Sequence, residues 1–140
     1  MPACVARPTV YPPAAFAHRV ATSDVAIYWN CTRSEFGQLQ FDGVAQNIGG
    51  SEIRYLGLEL NAVDAKENFG LSAVAAPLDI LLYTNQLSPF HLQLPIRGDE
   101  ARFDLFYQYR LSSRFGAFAG LEDRRFMARD VCSDTQHRVN

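Results

Sequence analysis

QLQFDGVAQNIGGSEIRYLGLELNAVDAKENFG, residues 38–70, decides the architecture. Leu39 and Phe41 alternate with Gln38, Gln40 and Asp42, and Leu56, Leu58, Leu60 and Ala62 alternate with Gly57, Glu59 and Asn61. A period of two belongs to strands with one face on a core and the other in water. Asn47 to Ser51 supplies residues that tolerate φ > 0, and Asp64 to Gly70 supplies a second polar turn. The stretch therefore predicts a β-hairpin within a sandwich.

The same reading extends in both directions. Val25, Ile27 and Trp29 alternate with Ala26, Tyr28 and Asn30, and Trp29, the only Trp, is the natural centre of the core. Gly43 falls where the alternation slips to Val44, which predicts a bulge or a close backbone approach. Pro77 ends a short strand over Leu71 to Ala76, and the apolar run Leu78 to Tyr83 has no decisive period. Phe90, Leu92 and Leu94 alternate with His91 and Gln93. After a turn at Arg97 to Glu100, Phe103, Leu105, Tyr107, Tyr109 and Leu111 face away from Arg102, Asp104, Phe106, Gln108 and Arg110. Strands are expected near 24–31, 38–47, 52–63, 71–76, 90–95 and 101–111, with Trp29, Phe41, Leu58, Leu92 and Leu105 in one core. This spacing of strands and turns fits an all-β, two-sheet antiparallel sandwich. Beyond Leu111 the period degrades. Residues 112–121 read as a loop, and Arg124 to Val131 as an edge strand whose Arg125, Arg129 and Asp130 discourage pairing with another molecule.

Composition narrows the class. A chain of 140 residues is one domain by size. With 48% hydrophobic and 20% charged residues it can fold unaided. A net charge of -2 offers no clustered positive charge to displace counterions, so nucleic acid is not an expected partner. No apolar run reaches the roughly 20 residues of a transmembrane helix. Pro2, Pro8, Pro12 and Pro13 make residues 1–22 read as a proline-rich N-terminal tether ahead of a single domain over 23–140. Arg7 and those prolines also interrupt the apolar core that a secretory signal needs.

The middle of the chain, Gln38 to Leu111, resembles the FxLYD family of bacterial extracytoplasmic domains. The residues that carry the resemblance are Phe41-x-Gly43-Val44-x-x-Asn47, Leu56-x-Leu58-x-Leu60, Asp64 ahead of Gly70, and Ser88-Pro89-Phe90. Leu58 to Asn61 stands where the family's Leu-Tyr-Asp run belongs, which marks a divergent member. The resemblance implies an immunoglobulin-like sandwich and a place in the periplasm or outer envelope. Its motif consists of turn and core residues, so it speaks to fold more than to function.

Cysteines carry the rest. If Cys31 and Cys132 pair, the bridge pins the C-terminal segment to the first core strand and requires an oxidising compartment; otherwise they are two unrelated thiols. Cys4, near the start of the tether, resembles the lipidated first residue of a bacterial lipoprotein, if a leader precedes Met1. Two functional readings follow. One is a non-catalytic extracytoplasmic module that meets an envelope protein through a sheet edge or aromatic face, without cofactor, metal or catalytic residues. The alternative is a small hydrolase or metal-binding protein using Cys132, His137 and Asp130, although no Cys-x-x-Cys or nucleophile motif supports it. The acid pairs Asp99-Glu100 and Glu122-Asp123 read as solvated turn charges.

Overall fold

Two antiparallel sheets carry the alternating residues in the computed structural model, which describes residues 9–112 and 120–133. The strands among these are β1 (His18–Ala21), β2 (Val25–Arg33), β3 (Gln38–Asn47), β4 (Ile53–Asp64), β5 (Phe69–Ala75), β6 (Leu81–Leu82), β7 (Leu87–Pro95), β8 (Glu100–Ser112) and β9 (Leu121–Ala128). The first sheet runs β1-β2-β3-β7, and the second β5-β4-β8-β9 with β6 also on β4. The chain is thus an immunoglobulin-like two-sheet β-sandwich. The six expected strands correspond to β2, β3, β4, β5, β7 and β8, with ends displaced by a few residues.

The expected hairpin is not formed, because β3 and β4 lie in different sheets. Asn47 is responsible. Fully buried, it donates through Nδ2 to the carbonyls of Ser51 (2.8 Å) and Leu82 (2.9 Å), and its Oδ1 accepts the Gly49 N–H. Its side chain satisfies the backbone of a crossover that carries the chain from one sheet to the other. At Gly43 the register Trp29↔Gly43↔Phe90 continues unbroken, so there is a close approach and no bulge. An added Cβ would overlap the Tyr28 carbonyl oxygen and meet the Phe90 ring at 2.6 Å.

Both ends of the domain differ from what the sequence predicts. His18–Ala21, assigned to the tether, pairs with Ala26–Trp29 as β1, so strand structure begins before residue 22. Beyond a 3-10 turn at Pro13–Ala15 the Phe16 N–H caps the turn on the Pro13 carbonyl and the Ala17 N–H donates to Asn30 Oδ1 of β2 (2.7 Å), and with no further proline the chain enters the ladder at His18. Glu122 and Asp123 are not turn residues, because β9 pairs with β8 from Leu105↔Ala128 to Ser112↔Leu121.

The core lies between the sheets. Trp29 is 1% exposed and stacks on Phe41 at 5.5 Å, and Phe41 in turn meets Phe90. Leu58, Leu60, Leu105 and Tyr109 close it from the second sheet. The Tyr109 hydroxyl donates to Asp24 Oδ2 (2.8 Å), which ties β8 to the β1–β2 turn. Burial pushes that phenol above its usual range.

Candidate functional site

Cys132 is bonded to Cys31, with their Cα atoms 5.6 Å apart. The residues around it form a clasp between the sheets. Buried Val131 donates its N–H to Phe103 O (2.8 Å), and its carbonyl accepts the Trp29 indole N–H (2.8 Å). The Asp130 N–H donates to Oδ1 of Asp104, which is 1% exposed and bound by Arg102 Nε at 3.0 Å. Arg102 then reaches outward to Glu67 through two bonds of 2.7 and 2.6 Å. That pairing holds the Glu67 carboxyl below its usual range and keeps the guanidinium protonated well above its own.

This arrangement accounts for two of the three residues of the hydrolase or metal reading. A sulfur in a disulfide has no thiolate to offer as nucleophile or ligand, and the Asp130 backbone serves the clasp. His137 and Cys4 lie outside the described residues. Among the described residues no group of three His, Cys, Asp or Glu side chains is placed to hold a metal ion. His91 stands on the outside of β7, hydrogen-bonded to Asp42 of β3.

The outside of the second sheet is different. Val74, Glu59, Phe106 and Met127 sit in register across β5, β4, β8 and β9. Val74 is 75% exposed, Met127 48% and nearby Phe69 63%. Phe69 packs edge-on against the half-buried Phe106, with ring centroids 6.1 Å apart. In the adjacent row Gly57 faces Gln108 and offers no side chain. A depression of about 640 Å³ follows, bordered by Val74, Phe106, Glu59 and Arg125. Neither Glu59 nor Arg125 has an ion-pair partner among the described residues. The depression thus combines an apolar floor with one acid and one base at its rim.

Beside it, Tyr55 adopts φ 56°, a left-handed conformation costly for a bulky residue, where the β4–β8 register shifts between Arg54 and Gly57. The irregularity turns the ring outward, 57% exposed, with the Arg110 guanidinium 5.9 Å from its centroid. Phe106 was visible in the sequence as the aromatic residue on the polar side of β8. Val74 could be found the same way, since it alternates with Leu71, Ala73 and Ala75. Phe69 reads as a turn residue and Tyr55 as an ordinary strand residue, so only the fold reveals them.

No protein-family model matches the chain, and no curated protein matches its sequence. Solved structures with a similar fold include the GAE domain of yeast GGA1, with 14% identity, a TM-score of 0.55, and coverage of 81% of this chain and 97% of that one. The GAE domain of GGA2p from Saccharomyces cerevisiae gives 12% identity, a TM-score of 0.50, and coverage of 83% and 97%. At these identities the likeness concerns the fold.

Proposed function

We propose that this chain is a non-catalytic extracytoplasmic module, kin to FxLYD-type domains, that binds another envelope protein through the outer face of its second sheet. Cys4 carries the lipid anchor in this reading. The observation behind it is the row Val74–Phe106–Met127 with Phe69 beside it, apolar surface left in water on a domain whose core is already filled. Contiguous exposed apolar surface with a polar rim is the usual composition of a protein-binding patch. The Cys31–Cys132 bridge supports the compartment, since such bonds persist where the surroundings are oxidising.

The test uses the full chain as bait in envelope extract, beside Val74→Glu and Phe69→Glu. A partner retained by the native chain and lost with both variants, all three melting alike, is the expected result. Equal retention by all three would overturn the assignment of the face. Stoichiometric zinc in the purified protein would restore the metal-binding alternative.

A further inference from the structure

β9 pairs with β8 on one side, and no strand covers its other side among the described residues. Its sequence is Leu121-Glu122-Asp123-Arg124-Arg125-Phe126-Met127-Ala128. Asp123, Arg125 and Met127 stand opposite Arg110, Gln108 and Phe106 on the outer face. Phe126 points to the other side, stacking on Tyr107 and Tyr109 at 5.5 and 5.9 Å, and Glu122 and Arg124 share that side with it.

We infer that two copies of this chain pair through β9, antiparallel and about a two-fold axis at Arg124, joining their second sheets into one. In a two-fold antiparallel pair, residues opposite each other must point to the same face, so one residue has to meet its own copy at the axis. Centring on Arg124 places Leu121 opposite Met127 of the second copy and Asp123 opposite Arg125 of the second copy, each twice by symmetry. Apolar meets apolar and acid meets base along the whole outer face, and Arg125, which has no ion-pair partner among the described residues, gains Asp123 of the second copy, whose carboxylate also binds Arg110 of its own chain at 2.9 Å. The one like-charged contact, Arg124 with its copy, is offset: each guanidinium already binds Glu122 of its own strand at 2.9 Å, and Glu122 of the other copy lies diagonally across.

Neighbouring registers are poorer on the outer face. Centring on Asp123 opposes Glu122 and Arg124 on the other face, but it sets Asp123 against Asp123 and Leu121 against Arg125 where the favoured register has apolar and acid–base pairs. Centring on Arg125 sets Arg125 against itself and opposes no unlike charges. The charges that discourage a generic strand from adding to this edge therefore admit one that carries the same order. The pairing also brings Leu121 beside Met127 of the other copy and carries the apolar row across both subunits. It does not depend on what the apolar face binds.

The experiment is cysteine cross-linking in the full chain carrying Cys4→Ser, with sedimentation of the same samples. Arg124→Cys should give a covalent dimer on mild oxidation. Asp123→Cys and Arg125→Cys should each stay monomeric alone and cross-link when mixed. In the cysteine-free-edge chain, Asp123→Arg should weaken dimerisation by about tenfold or more, and adding Arg125→Asp should restore it. A chain that sediments as a monomer at every concentration, or one that cross-links through Asp123→Cys alone, overturns the inference.

Discussion

The outer face of the first sheet presents Asn30, Thr32, Gln40, Asp42, His91 and Gln93, whereas that of the second presents Phe69, Val74, Phe106 and Met127. Both faces arise from the same alternation, and the inner residues of both sheets fill one core. Folding requires the inner set on each side. It requires nothing apolar outside, where single exposed hydrophobic residues are ordinary but apolar residues on three of the four strands of one register row, with only Glu59 between them, are not. The difference separates residues explained by stability from residues that need another reason.

The largest effects should fall on the frame that both faces share. Reducing the Cys31–Cys132 bond, which closes a span of 101 residues, should cost roughly 4 to 5 kcal/mol in the chain-entropy model. Proteolysis beyond Arg124 should accelerate, while circular dichroism still reports a β-sandwich. Trp29→Ala should cost about 3 to 5 kcal/mol in denaturant unfolding, because it removes the Phe41 stack and orphans the Val131 carbonyl. An unchanged midpoint in either case would mean that the faces do not rest on a common frame.

Much of that frame was legible in the sequence, because a period of two is a direct imprint of a half-buried strand. Trp29, Phe41, Leu58, Leu92 and Leu105 all reach the core as expected. Sheet membership was not legible. Period and turn composition are local, and whether β3 turns back on β4 or crosses to the other sheet depends on Asn47 finding the Leu82 carbonyl 35 residues away. The face was half legible. Phe106 declared itself by interrupting a polar side, but its neighbour Phe69 lies on β5 and is brought to it only by the fold. β1 was missed because four residues after a proline-rich stretch show too little period.

Matched substitutions, one per face, separate the two surfaces. Val74→Glu and Gln93→Glu should each shift stability by no more than about 0.5 kcal/mol, since both positions are exposed. Only Val74→Glu should release the partner. A loss of binding with Gln93→Glu as well would mean that the faces are functionally alike.

The smallest effect concerns the acid limb of stability. Hydrogen bonds from Arg102 lower the Glu67 pKa below its ordinary 4.5, and the Asn68 N–H lowers that of Asp64 below 3.8. A carboxyl whose pKa is lower when folded stabilises the fold above its unfolded pKa, and that contribution disappears as pH falls through the folded value. The urea midpoint should therefore hold steady down to about pH 4.5 and decline below it. Glu67→Gln should flatten part of that decline. Both groups are solvent-exposed, so the change should be slight, and a steeper fall would place the acid sensitivity elsewhere.

The most direct measurement is photo-crosslinking in living cells, with a photoreactive residue at position 74 in one chain and at position 93 in another. If the apolar face is the binding surface, position 74 gives one discrete adduct with a second protein, Phe69→Glu in the same chain abolishes it, and position 93 gives none. Identical adducts from both positions, or an adduct at 93 alone, would contradict the assignment of the second sheet's outer face.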